Sequence, residues 1–126
     1  MNAERATDLH RLLMAAFGDE NPDFDSWWTH LSSDAEYDPG LCFLLYHDRG
    51  ALAAAAQCWT SGFIKDLATA PEHRGRGLGE ALVLHAFRAF KRRGAPHVDL
   101  KTSLAENAAA VRLYRRLGMV EVEWDG

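Results

Sequence analysis

The stretch "TAPEHRGRGLGEALVLHAFRAF", Thr69 to Phe90, sets Gly75, Gly77 and Gly79 at alternate positions, interleaves Arg74 and Arg76, and runs straight into an apolar pattern of helical period. A strand, a glycine-dense turn and a helix N-terminus together suit phosphate. Glycines let the backbone approach closely, the first-turn N–H groups lack intrahelical partners, and the helix dipole favours a negative guest. Two familiar phosphate loops fail on spacing: Gly-Lys-Ser/Thr is absent after the first glycine, and the glycines run G-x-G-x-G rather than G-x-G-x-x-G. What fits is Arg-x-x-Gly-x-Gly, from Arg74 through Gly77 to Gly79.

Such a loop needs a strand to deliver it and a helix to receive it. Ile64 to Thr69 is a short strand candidate that ends before Pro71. Leu78, Ala81, Leu82, His85, Ala86, Ala89 and Phe90 form one helical stripe; Lys91, Arg92 and Arg93 suit its negative C-terminal end, and Gly94 with Pro96 stops it. Upstream, Leu9, Leu12, Leu13, Ala16 and Phe17 mark an amphipathic helix with Thr7 as its expected N-cap and Gly18 beyond its end. Phe24, Trp27, Trp28 and Leu31 mark a second helix after Asp23. "LCFLLYH" and "ALAAAAQCW", separated by "DRG", read as a hairpin from about Leu41 to Trp59, although the alanines of the second run also suit a helix. Downstream, "HVDLKT" reads as a strand, "NAAAVRLYRRLG" as a helix closed by Gly118, and "MVEVEW" as a final alternating strand. The β–α alternation implies crossovers and some parallel pairing, so the fold class is α/β, in a single domain over residues 1–126.

Composition narrows the function classes. The chain is 48% hydrophobic and 25% charged over 126 residues, ordinary for one globular core and without low-complexity tracts. Residues 1–60 hold three basic and ten acidic side chains, net −7, whereas residues 61–126 hold eleven and eight, net +3. The second half therefore favours an anion, while the acidic total argues against a nucleic-acid partner. The start "MNAERATDLHRLLMAAFG" lacks the features of a secretory signal and no apolar run reaches membrane-spanning length, so a cytoplasmic protein without a membrane partner is expected. Cys42 and Cys58 stand outside any C-x-x-C pair or Cys/His cluster, which points to buried free thiols and to no metal site.

With these residues in view, "APEHRGRGLGEAL" resembles the pyrophosphate motif of the GNAT N-acetyltransferase family, Gln/Arg-x-x-Gly-x-Gly/Ala in a strand–loop–helix setting. A second segment, "ENAAAVRLYRRLGM", is similar to that family's Asn-x-x-Ala-x-x-x-Tyr-x-x-x-Gly-Phe, with Asn107, Ala110, Tyr114 and Gly118 in place and Met119 for the usual aromatic. The resemblance implies a mixed central sheet flanked by helices and acetyl-CoA as co-substrate. It departs at the ends, where the terminal strands are shortened; a second copy of the chain is expected to cover the sheet edge so exposed.

The resemblance also implies roles. Backbone groups of Leu67, Ala68 and Thr69 would pair with the pantetheine arm, and Arg74, Gly75, Arg76, Gly77, Leu78, Gly79 and Glu80 would hold the pyrophosphate. Without a ligand the arginines are solvated turn residues. Tyr114 would give a proton to the departing thiolate, or else packs its ring on the sheet. Asn107 contacts pantetheine, caps the last helix, or does both. Asp66, the only carboxylate on the strand leading to the loop, is the favoured general base, with a hydrogen-bonded structural residue as the other reading. Trp27 and Trp28, amid the acids of the first half, either receive a cationic acceptor or fill the core. The implied function is direct acetyl transfer to the primary amine of a small, cationic molecule. The rivals are a non-catalytic acyl-CoA sensor and a protein N-terminal acetyltransferase, the latter weakened by Lys101 and Thr102 where such enzymes often carry a glutamate.

Overall fold

In the computed structural model, which describes residues 1–18, 23–101 and 108–122, the first helix α1 (Ala3–Phe17) starts earlier than its apolar stripe. Its N-cap is Asn2, whose side chain accepts from the Arg5 N–H at 2.8 Å. The expected cap, Thr7, lies inside the helix and its hydroxyl donates to the Ala3 carbonyl at 2.9 Å. The helix thus begins five residues before the Asp8 start that a Thr7 cap implies, with Ala6 buried in the core, because capping satisfies the first-turn N–H groups wherever a suitable oxygen stands. Asp23 caps α2 (Phe24–Ser32) by accepting from Ser26 N–H at 2.9 Å.

The strands are β1 (Tyr37–Tyr46), β2 (Leu52–Trp59), β3 (Phe63–Thr69) and β4 (Asp99–Leu100), in the order β1-β2-β3-β4. β1, β2 and β3 are antiparallel neighbours, and β4 lies parallel to β3 after the crossover through α3 (Leu78–Arg92). The last helix is α4 (Ala108–Arg116). α1 and α2 cover one face of the sheet, where Leu9, Leu12, Leu13, Trp27 and Leu31 bury against Ala55 and Ala68. α3 covers the other, packing Leu82, Ala86, Ala89 and Phe90 against Ala54, Ala56, Cys58 and Ile64. The alanine run is thus a central strand. Both its faces are buried under helices, and packing of that kind overrides helix propensity.

Other boundaries also differ from the sequence reading. The hairpin begins at Tyr37 rather than Leu41, since Asp38 accepts from Gly40 N–H and Arg93 and ties the extension to the end of α3. Of "HVDLKT", His97 to Lys101 are described, and of these Asp99 and Leu100 are strand; Thr102 lies outside the described residues. Of "MVEVEW", Met119 to Val122 is not strand, and Val120 and Val122 are exposed; Glu123 and Trp124 lie outside the described residues. Alternation alone does not make a strand: it needs an edge to pair with, and β4 is two residues long.

The turn from β2 to β3 has its own constraint. Gly62 takes a φ of +96°, and a Cβ there would lie 2.5 Å from the His97 carbonyl oxygen. Its own carbonyl accepts from the Asp99 N–H at 2.9 Å. This close approach fixes where β4 meets β3.

Candidate functional site

β3 and β4 are paired only at Phe63–Asp99 and Ile64–Leu100. From Lys65 to Thr69 the edge of β3 turned away from β2 has no strand partner among the described residues, so a row of backbone donors and acceptors faces outward. On the β2 side the register passes from Cys58–Ile64 to Gln57–Asp66, leaving Lys65 as the extra residue of a bulge. In a regular strand Lys65 and Asp66 would point to opposite faces; a bulge brings both to one. The packing agrees, because Ile64 and Leu67 face α3 whereas Ala68 faces α1. Lys65 Nζ donates to Asp66 Oδ2 at 2.9 Å and lies 5.9 Å from the Trp59 ring centroid.

That face holds a cleft of about 360 Å³ under α1 and α2. Its polar lining is His30, Asp34, Trp59, Lys65 and Asp66, over an apolar floor that includes Leu13 and Phe17. Trp27 contributes a wall but is itself nearly buried, packed on His10, Phe24 and Trp28 with ring centroids 5.0 to 6.1 Å apart. Trp28 is not part of the lining and meets Tyr37 edge-on at 5.9 Å. Of the tryptophan pair, then, one reaches the cleft and both fill the core.

At the far end of β3, Ala70 N–H donates to Ala53 and a single tight turn, Pro71–His73, leads to the loop. Arg74 Nε reaches back to the Thr69 carbonyl at 3.4 Å, a long bond. Gly75 and Gly77 have φ of +79° and +76°, the left-handed region that glycine occupies without strain. Gly77 is the N-cap of α3, and no side chain caps it. The Leu78, Gly79 and Glu80 N–H groups therefore belong to an open first turn. A Cβ at Gly75 or Gly77 would meet no atom within 4 Å outside its chain neighbours, so nothing among the described residues fills the space beside these two glycines. Glu80 would oppose an anion there, but its carboxylate is engaged by Arg116 of α4 at 3.1 Å. The residues present fit a pyrophosphate.

α4 packs on the same turn, since a Cβ at Gly79 would lie in ordinary contact with Leu113 at 3.9 Å. Tyr114, the next residue, is partly buried, and burial raises its phenol above the usual tyrosine range, so it stays protonated at neutral pH. Asn107 lies outside the described residues. Among the described residues no group of three or more His, Cys, Asp or Glu side chains is placed to hold a metal ion.

Cleft and loop are thus joined by one strand edge. Sequence reasoning missed His30, Trp59 and Lys65 as lining, because the bulge that turns Lys65 inward leaves no local mark. It also missed Gln57. This residue is wholly buried opposite Asp66, its Nε2 donates to the Cys58 carbonyl, and its Oε1 has no partner among the described residues. Such a buried acceptor is completed by a water or by a guest's donor. A larger groove, about 540 Å³, runs along the outer edge of β1 between α3 and the start of α1, but holds none of the expected residues. Volume alone does not select the site; the chemistry of the lining does.

Comparison with known proteins bears on the family and the fold. The model of the acetyltransferase (GNAT) family matches residues 6–119. Streptothricin acetyltransferase of Streptomyces lavendulae is 39% identical over 70 residues, 55% of this chain and 36% of that protein. N-alpha-acetyltransferase MAK3 of Arabidopsis thaliana is 32% identical over 92 residues, 68% of this chain and 47% of that one. The matches thus span a third to a half of these relatives' own length. Among solved structures, AAC(6')-Iy bound to a CoA-S-monomethyl-acetylneamine bisubstrate analogue superposes with a TM-score of 0.78 at 18% identity, covering 98% of this chain and 90% of that one. The ribosomal-protein-S18-alanine N-acetyltransferase of Escherichia coli gives 0.78 at 24% identity, covering 98% and 76%. At these identities the likeness is one of fold.

Proposed function

The chain belongs to the acetyltransferase (GNAT) family, and from that premise we propose that it binds acetyl-CoA and transfers the acetyl group to the primary amine of a small cationic molecule. The observation that carries the proposal is the path from a glycine loop without a side-chain cap, along the edge of β3 that has no strand partner among the described residues, to a cleft lined by carboxylates.

Leu67, Ala68 and Thr69 offer backbone groups to an extended arm, as an edge strand does to an added strand. Gly75 to Glu80 offer N–H groups to phosphate, and Arg74 and Arg76 add charge. Acetyl-CoA brings an already activated thioester, so holding the reactants in line supplies much of the acceleration. Asp66 takes the proton of the incoming ammonium, and Tyr114, still protonated at neutral pH, gives one to the leaving thiolate. Lys65 occupies Asp66 in the resting protein, so an acceptor must displace or rearrange that pair.

A cationic acceptor is favoured by Asp34 and Asp66 and by the −7 balance of residues 1–60. The Lys65 ammonium between Trp59 and Asp66 is itself an example of the cation such a corner holds. One similar protein carries the name of a small polar amine, streptothricin, which supports the same class. The similar N-alpha-acetyltransferase keeps a peptide N-terminus as the second reading. A cytoplasmic homodimer goes with the proposal, and a monomer mass at high concentration in light scattering would remove the dimer.

The test is release of free CoA thiol with polyamines, aminoglycosides, streptothricin and N-terminal peptides as acceptors. Release dependent on a small cationic amine is expected. Release with peptides alone favours the second reading, and tight acetyl-CoA binding without release to any acceptor makes the protein a sensor.

A further inference from the structure

The bulge in β3 does more than turn Asp66 into the cleft: it brings in a primary amine. Lys65 Nζ is hydrogen-bonded at 2.9 Å to the carboxylate assigned as the base, and its side chain is 37% exposed, so it is both positioned and accessible. We propose that Lys65 is itself an acetyl acceptor, a self-modification site within the cleft. The proposal rests on the acetyl-CoA reading above.

The direction of the open edge sets the geometry. The phosphate loop follows Thr69, so a guest anchored there lays its arm back along β3 towards Lys65. Four residues at about 3.3 Å each make roughly 13 Å from Thr69 to Lys65, so an arm laid along this edge meets the bulge about that far beyond Thr69. The Lys65 ammonium gives one proton to the Asp66 carboxylate. Its lone pair then forms a C–N bond to the acetyl carbonyl carbon as the C–S bond breaks. The leaving thiolate takes the Tyr114 proton, and the second nitrogen proton goes to solvent, from which Tyr114 is restored. The products are free CoA and N6-acetyl-Lys65.

Acetylation has a local consequence. The cation over Trp59 and on Asp66 is lost, so Asp34 and Asp66 face the cleft without it. The modified protein should therefore hold a cationic ligand more tightly than the unmodified one. An excess of acetyl-CoA in the absence of acceptor would, in this way, convert a self-neutralised cleft into an acidic one.

The chain has three lysines, Lys65, Lys91 and Lys101, which makes assignment direct. Full-length protein is incubated with acetyl-CoA alone, and intact mass and peptide maps are recorded for wild type, Lys65→Arg and Gly77→Glu, with acetyl-CoA and spermidine binding measured by titration. One acetyl group on Lys65 is expected, at a rate per molecule unchanged by dilution of the protein. Lys91, on the solvent side of α3, should label at least about a hundredfold more slowly, because only a positioned amine gains a high effective concentration. The label should vanish in Lys65→Arg while that variant still binds acetyl-CoA, and the acetylated protein should bind spermidine several-fold more tightly. Acetyl-CoA binding without a label on Lys65, or equal labelling of Lys65 and Lys91, overturns the proposal and leaves the acetyl-CoA reading intact. Failure of the folded wild type to bind acetyl-CoA overturns both.

Discussion

Gly77 separates two things that a phosphate loop demands, a backbone conformation and an empty space, and two substitutions can measure them apart. With φ at +76° and no atom within 4 Å of a Cβ, Gly77→Ala meets no clash and bears only the left-handed penalty, about 1 kcal/mol. For a domain of this size that lowers Tm by roughly 4 °C. The N–H groups of the first turn are untouched, so acetyl-CoA affinity should stay within a few-fold of wild type. Gly77→Glu bears the same backbone cost but puts a carboxylate into the cradle. One charge about 5 Å from one phosphate, at an effective dielectric near 20, costs about 3 kcal/mol, or more than about a hundredfold in affinity. Unlike Glu80, which Arg116 holds at 3.1 Å, the new carboxylate would compete for Arg74 and Arg76. The assay is acetyl-CoA titration calorimetry beside thermal melting of both variants. Equal melting temperatures with affinity lost only in Gly77→Glu is the expected result. Wild-type affinity in Gly77→Glu would refute the placement of the pyrophosphate, and equal loss in Gly77→Ala would mean that shape rather than open space is what the loop supplies.

Tyr114→Phe should lower turnover by about a hundredfold, in the range of a single acid–base group, with acetyl-CoA affinity nearly unchanged in the same titration. Gly62→Ala should cost more than about 2 kcal/mol in urea denaturation, because a Cβ 2.5 Å from a backbone oxygen cannot be relieved by a side-chain movement. Asp34→Asn should raise KM for a cationic acceptor about fivefold, close to 1 kcal/mol for an exposed charge, with kcat little altered in steady-state kinetics. Burial pushes both Cys42 and Cys58 from 9.0 to about 12, so the thiolate fraction at pH 8 falls by three powers of ten, 12 minus 9, and iodoacetamide should label neither thiol in the folded protein. Because these folded values lie above the unfolded one, the corresponding stability is full below pH 9 and is lost as pH rises towards 12, which alkaline urea midpoints would register.

What could be read from sequence was whatever depends on neighbours along the chain. The glycine spacing, the α3 stripe with its basic last turn, and the start of α2 after Asp23 all depend on a few neighbouring residues, and each stands where expected. Asp66 was visible as the carboxylate before the loop, but the company it keeps was not. The bulge at Lys65 follows from pairing with β2, and the lining by Trp59 and His30 follows from how two segments cross the same face. The alanines of β2 were ambiguous for the same reason, since their strand state is decided by helices on both sides. Met119 to Val122 failed as a strand because a period of two records only which residues alternate, not whether an edge is there to receive them. Asn2 was overlooked because a cap was sought beside the apolar stripe, whereas α1 begins before it.

The most direct test of the account is calorimetric titration of the purified, folded wild-type chain with acetyl-CoA. Saturable binding at one site per chain is predicted, weakening as salt rises because phosphate contacts contribute to it. No binding by well-folded protein would contradict the account at its root, since the loop and the open strand edge would then be a shape without a guest.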